Sequence, residues 1–200
     1  MYDSFKRFFD IFLSFFSLIL LFPIILIISL LVLILDGRPI LFKDDRSGLN
    51  NRTFKIFKFR TMHLGSHEFS PTTSKNDPRV TNLGKFLRRF KLDELPQLIN
   101  VLKGEMSFVG PRPEMPSYTK KYNVSERRIL SVRPGITDLA SIYFYQMNKL
   151  IDDSDPEKSY MQNVWSKKNS LRIEYVDNRS LSLDTKIFFK TLFFFLLRRS

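Results

Sequence analysis

Hydrophobic residues run almost without a break from Phe8 to Leu35, a stretch of 28 positions in which only Asp10 is charged. As one helix, at 1.5 Å per residue, the stretch reaches about 42 Å, longer than a hydrocarbon core of roughly 30 Å. Pro23 falls near its middle and withholds the N–H that a continuing helix needs, so the pattern predicts a break there. The two arms, Phe8 to Phe22 and Ile24 to Leu35, are each shorter than the roughly 20 residues of a span. Lys6 and Arg7 precede the run and Arg38, Lys43 and Arg46 follow it, so both flanks belong on the cytoplasmic side. The expectation is a re-entrant helix-break-helix anchor over residues 1–36, with a Pro-kinked spanning helix as the alternative. A cleaved signal peptide is not expected, because the run exceeds an ordinary signal core and no small-residue cleavage site follows.

Beyond residue 36 the pattern shortens. Gly37 to Phe42 reads as a turn and short strand, and Phe54 to Thr61 (FKIFKFRT) alternates apolar and basic residues, predicting a half-buried strand with one basic face. Gly65 to Pro78 is a polar loop, and Leu83 to Phe90 a short basic helix. A further helix is predicted from Glu94 to Lys103, with Leu95, Leu98, Ile99 and Leu102 on one face, Asp93 as N-cap and Gly104 as its stop. The tail from residue 184 to 200 sets apolar residues between Lys186, Lys190, Arg198 and Arg199, the pattern of an interfacial amphipathic helix, with a buried core helix as the alternative. The expected fold is α/β and mostly helical: the anchor joined to a compact body over residues 37–200.

Composition then narrows the chemistry. Lys and Arg total 32 against 20 Asp and Glu, a net charge of +12, and the four charges before Leu35 cancel, so the body carries the whole excess. Such a body suits nucleic acid, an anionic membrane surface or phosphorylated substrates, and the apolar head favours the membrane side. With no cysteine, disulfides, zinc-thiolate sites and cysteine nucleophiles are excluded; His63 and His67 are too few for a histidine metal cage.

Asp93 and Glu94 form an acidic pair within a few residues of Arg88, Arg89 and Lys91. Two carboxylates can support Mg²⁺ while the bases neutralise a diphosphate. Taken alone, the pair reads more simply as a helix cap and a first-turn acid. Arg112, in Phe108 to Pro113 (FVGPRP), and Arg133, in Arg133-Pro134-Gly135, stand in stiff turns that suit phosphate binding, although each alone is more simply a solvated turn residue. Tyr143, Tyr145 and Trp165 could stack on a base or sugar, or belong to the core.

Three segments carry a resemblance: FKIFKFRTM (Phe54 to Met62), DPRVTNLGKFLRRFKLDELPQLINVLKGEMSFVGPRP (Asp77 to Pro113) and RPGIT (Arg133 to Thr137). They resemble the bacterial sugar transferase family, small monotopic phosphoglycosyl transferases that begin glycoconjugate assembly on undecaprenyl phosphate. The resemblance implies that residues 37–200 are catalytic and that the Asp93 carboxylate attacks the β-phosphate of a UDP-sugar. UMP leaves, and undecaprenyl phosphate then takes the phosphosugar from the aspartyl enzyme. It implies that Glu94, with Asp93, supports Mg²⁺, and that Lys58, Arg60, Arg88, Arg112 and Arg133 meet phosphates. It implies a proline-kinked re-entrant helix, matched here at Pro23, although Phe22 replaces the serine often found before that proline. It also implies the cytoplasmic face of a bacterial inner membrane, without the multi-span module of larger members.

Asp138 stands where many members have glycine after RPGIT, which resembles a subgroup using acetamido sugars. Residues 145–169 match no motif. Membrane lipids are expected partners, nucleic acid is not, and a homodimer is left open. A nucleic-acid module would leave the apolar run without purpose, and an inactive basic scaffold would leave the acidic pair unexplained.

Overall fold

The computed structural model describes residues 2–65, 77–144 and 155–196. Most of the expected loop from Gly65 to Pro78, Tyr145, and residues 197–200 of the tail lie outside them. The apolar run forms helix α1, Tyr2–Leu31, extended by a π-helical turn, Val32–Asp36. The helix continues through Pro23, so the expected two-arm break is not seen as an interruption. A proline removes a single rung, and the rungs on either side keep the helix intact. Among described residues α1 is the one helix long and apolar enough to cross a membrane, by length and composition.

Most of α1 shows its apolar side chains outward, but one narrow stripe is polar and faces the body. Arg7 donates to the Val101 and Leu102 carbonyls at 2.6 and 2.8 Å. Asp10 is buried and accepts from Ser107 Oγ and the Phe108 amide, both at 3.0 Å. Ser14 Oγ donates to the Leu98 carbonyl at 2.7 Å. At the other end, Ile28 and Val32 pack with Phe59 and Leu87.

Strands β1 (Leu41–Ser47) and β2 (Thr53–Phe59) pair antiparallel, Leu41 opposite Phe59 and Ser47 opposite Thr53. Asn50 and Asn51 take the left-handed conformation in the connecting turn, which asparagine tolerates better than most residues. The expectation of one basic face on β2 fails: Ile56 and Phe57 are consecutive apolar residues and shift the phase of the alternation. Lys58 therefore shares its side with buried Phe54 and Ile56, while Lys55 faces outward on the other.

Helix α2 (Asn82–Arg89) is capped by Thr81 Oγ1, which accepts from the Gly84 amide at 2.9 Å. A Cβ on Gly84 would stand 2.2 Å from the Thr61 carbonyl oxygen, so this helix lies on the chain that follows β2. Helix α3 (Gln97–Lys103) ends at Gly104 in the left-handed conformation, as the pattern predicts. Its start differs: a 3₁₀ turn over Leu92–Glu94 precedes it, Pro96 is the N-cap, and Asp93 does not cap it.

Strands β3 (Ser107–Val109) and β4 (Gly135–Thr137) form a parallel pair. Gly110 and Gly135 touch backbone to backbone, since a Cβ on Gly135 would fall 2.2 Å from the Gly110 amide. Further helices among the described residues are α4 (Pro116–Thr119), α5 (Leu139–Tyr143), α6 (Pro156–Tyr160), α7 (Ser166–Asn178) and α8 (Leu181–Leu196). The tail helix has one side packed on the body and another exposed. Ile187 is buried against Val109 and Tyr175, while Phe189, Leu192 and Phe193 are exposed.

Candidate active site

The site begins with a strained residue. Lys91 takes φ 55°, which side chains other than glycine rarely adopt, and turns the chain out of α2 into the 3₁₀ turn that carries Asp93 and Glu94. Both carboxyl side chains are thereby drawn into the protein, Asp93 to 6% exposure and Glu94 to 8%.

Their partners differ sharply. Glu94 accepts a forked pair from Arg112: Nη2 reaches Oε1, and Nη1 lies 3.1 Å from Oε2. Lys58 Nζ adds a third contact to Oε1 at 3.2 Å. Burial alone would push the Glu94 carboxyl up, but the cations of Arg112, Lys58 and Lys91 hold it well below the usual range. Lys58 is itself pushed down by burial, against the pull of Glu94. Asp93 has a buried Oδ1 with no hydrogen-bond partner. Its carboxyl is raised, first by burial and then by the adjacent Glu94 charge, and Lys58, Lys91 and Arg88 offset this only in part.

Arg112 is held at three points. Its backbone amide donates to Asp138 Oδ2 at 3.0 Å, and its Nη1 also lies 3.3 Å from the Ile136 carbonyl. The Gly110–Gly135 contact fixes the turn beneath it. Behind that turn, Glu114 accepts from Lys168 at 3.0 Å and from Arg172 at 2.9 Å, and Arg172 Nε lies 3.5 Å from Asp138. Arg88 is placed from α2, where its Nε donates to Thr61 Oγ1 at 2.8 Å, within electrostatic reach of Asp93.

The fold thus gathers Lys58, Arg88 and Arg112 about the acidic pair. Arg60 is engaged elsewhere: its Nη2 donates to the carbonyls of Asp36 and, at 2.7 Å, Gly37, holding the end of the apolar helix. Arg133 Nε donates to the Gly104 carbonyl at 2.9 Å, past the far end of α3. Trp165 packs with Tyr118 and Tyr160 in the core, and Tyr143 is exposed beside Lys167. Sequence reasoning missed the contributions of Glu114, Lys168 and Arg172, which depend on pairing between distant segments. Lys91 was noted for its charge alone; its left-handed backbone carries no signature in a lysine.

A metal would find a partial donor set. Among the described residues no three His, Cys, Asp or Glu side chains come together. Asp93 Oδ1 is unpartnered, whereas both Glu94 oxygens are occupied by cations. That set fits Mg²⁺, which is commonly held by one or two carboxylates and completed by substrate phosphates, and does not fit an all-protein cage.

A helix long and apolar enough for a membrane, packed on a basic body with a buried acidic pair, defines a class of membrane-associated protein suited to phosphate chemistry. The chain matches the family model for bacterial sugar transferase over residues 1–198, and it belongs to that family. It is 39% identical over 171 residues to an undecaprenyl-phosphate glucose phosphotransferase of Komagataeibacter xylinus, covering 79% of this chain and 30% of that protein. It is 36% identical over 160 residues to UDP-N-acetylgalactosamine-undecaprenyl-phosphate N-acetylgalactosaminephosphotransferase of Aeromonas hydrophila, covering 77% and 34%. It is also 38% identical over 151 residues to the uncharacterized sugar transferase EpsL of Bacillus subtilis (strain 168), covering 76% and 67%. The match therefore takes in only about a third of the first two relatives.

Proposed function

We propose that this protein transfers a sugar 1-phosphate from a UDP-sugar to undecaprenyl phosphate, releasing UMP and forming undecaprenyl-diphosphate-sugar. The observation that carries the reading is the Asp93 carboxylate, buried with an unpartnered oxygen among cations, beside a Glu94 already paired with Arg112 and Lys58. The names of the Komagataeibacter and Aeromonas relatives support the reaction class. Because those names cite different sugars, the donor sugar, expected above to be N-acetylated, stays with the resemblance at Asp138.

In the proposed first step a lone pair of an Asp93 carboxylate oxygen attacks the β-phosphorus. The new bond joins that oxygen to phosphorus, the bridging P–O bond to the α-phosphate breaks, and UMP leaves with the electron pair. In the second step an oxygen of undecaprenyl phosphate attacks the same phosphorus and the aspartyl–phosphate bond breaks, restoring the carboxylate. Splitting one transfer between two bulky anions into two displacements is the usual gain of covalent catalysis. Arg112, Lys58 and Arg88 stand ready to neutralise charge on the transferred phosphoryl group. Mg²⁺ would be held first by Asp93 Oδ1, and by Glu94 once an oxygen is released by Arg112 or Lys58, and would supply further neutralisation of the diphosphate.

The membrane reading belongs to the same proposal. The N-terminal half of α1 bonds to α3 and the Ser107–Phe108 strand, while Ile28 and Val32 pack on Phe59 and Leu87. Both halves are fastened to one basic body, which favours a helix that dips into the cytoplasmic leaflet of the inner membrane and stays on the body's side.

The test is UMP release by the detergent-purified chain with Mg²⁺, undecaprenyl phosphate and a panel of UDP-sugars, beside Asp93→Asn. Expected are release that requires the lipid phosphate and a loss of at least about 10³-fold in the variant. A folded protein that releases no UMP with any sugar would point to the inactive scaffold instead. Mn²⁺ binding followed by electron paramagnetic resonance with UDP present, weaker in Asp93→Asn and Glu94→Gln, checks the metal apart from turnover.

A further inference from the structure

A second cluster of cations lies at the opposite end of α3 from the acidic pair. Between the first turns of α1 and the body is a cavity of about 270 Å³. Lys6, Arg7, Arg133 and Arg179 line it against two acids, Asp3 and Asp10. Most of these charges are already matched. Lys6 pairs with Asp184 at 2.6 Å and Arg179 with Asp3 at 2.9 Å, while Asp10 is held by Ser107 and the Phe108 amide.

Arg7 and Arg133 are different. Both converge on the last turn of α3, Arg7 on the carbonyls of Val101 and Leu102 and Arg133 through Nε on that of Gly104. Carbonyl dipoles satisfy donors but carry no net charge, so two guanidiniums face a cavity whose acids are the buried Asp10 and Asp3, the latter already paired with Arg179. The terminal nitrogens of Arg133 have no hydrogen-bond partner among the described residues. The side chain is also well aimed, because Pro134 and the backbone contact of Gly135 with Gly110 lock the turn that carries it.

The surroundings are membrane-like on one side. Phe5, Phe8 and Phe9 are exposed on the other sides of the same α1 turns. Asp184, which anchors Lys6 and accepts from Tyr175, opens the helix that exposes Phe189 and Phe193. An anion entering the cavity meets bases, and the two helices flanking it carry exposed phenyl rings of the kind that suit a hydrocarbon surface.

We propose that Arg133 and Arg7 bind a phosphate anion in this cavity, carried on a membrane lipid headgroup or free in solution, at a site separate from Asp93. The anion ties the start of the apolar helix to the Arg133-Pro134-Gly135 turn. This gives a place to the stiff-turn arginine that the acidic pair does not use.

The test titrates the detergent-purified full chain with dioleoylphosphatidylglycerol, and separately with inorganic phosphate, reading bound ligand by native mass spectrometry and the unfolding midpoint. The expected result is a saturable single site whose affinity falls at least tenfold in Arg133→Gln and is partly kept in Arg133→Lys. Binding of the lipid but not of inorganic phosphate assigns the site to a headgroup; binding of both at one site assigns it to the phosphate itself. If Arg133→Gln does not fold, Ser131→Glu places a carboxylate on the same cavity from an exposed position and reads the same loss. No binding of either probe to the wild type, or unchanged binding in the folded variants, would overturn the proposal.

Discussion

The Asp93 carboxyl is raised and the Glu94 carboxyl lowered, although the two are adjacent and equally buried. The difference lies in whom each one faces: Arg112 and Lys58 spend their charge on Glu94, leaving Asp93 an ionised oxygen with nothing to bond. A raised folded-state value means that Asp93 supports stability only in its protonated form. That support is full below its ordinary value near 3.8 and is lost as pH rises through the folded value. At neutral pH the ionised group therefore weighs against folding, and Asp93→Asn is expected to unfold at the same temperature as the wild type or higher while losing turnover. A lower midpoint in Asp93→Asn would make the residue structural. The same shift governs rate. The acid limb of kcat/KM should fall above the pH at which an ordinary aspartate titrates, because the proposed attack needs the carboxylate.

At the scale of elements, the turn carrying Arg112 is braced from behind. Glu114 sits between Lys168 and Arg172, and although burial pushes its carboxyl up, those two cations bring it down to about 2. A lowered value contributes stability that is present above the ordinary 4.5 and lost as pH falls toward 2, an amount of about 3 kcal/mol. Glu114→Gln removes that acid-sensitive loss and strands buried cations. It should destabilise by roughly 3–5 kcal/mol at neutral pH. Urea unfolding at pH 7 and pH 3.5 measures both effects, and equal stability losses at the two pH values would refute the bracing role.

This brace also marks the limit of what the chain discloses. Local signals were sufficient for α2 and for the glycine stop of α3, because each rests on neighbours in sequence, whereas the turns at Gly110 and Arg133 are locked by a contact between distant glycines. Strands β3 and β4 are three residues each, too short for any period to register. Whether Arg60 meets a phosphate or a helix end depends on where Asp36 and Gly37 return, which no local pattern states. The pairing of Glu114 with Lys168 and Arg172 depends on the same kind of distant return.

For the molecule as a whole, the fastening of α1 decides how it can meet a membrane. From Asp10 to Val32 a straight helix covers about 33 Å, enough to cross a hydrocarbon core of roughly 30 Å. Yet Asp10 bonds to β3, and Val32 packs on Phe59 and Leu87. Those elements belong to one body, since Phe54 and Ile56 of β2 share a cluster with Val101 of α3 and Met106 beside β3. A perpendicular crossing with both contacts intact would drag this charged body through the bilayer, at the large cost of burying unpaired charge in hydrocarbon. Both ends of α1 are therefore expected on the body's side, with the exposed phenylalanines of its middle turned to one leaflet. The cysteine-free chain makes the check direct. Ser4→Cys and Arg52→Cys, at exposed positions before and after the apolar run, should each resist a membrane-impermeant maleimide in intact cells and react once the membrane is opened. Labelling of Ser4→Cys alone in intact cells would mean that α1 spans, and that its polar stripe parts from the body in the membrane.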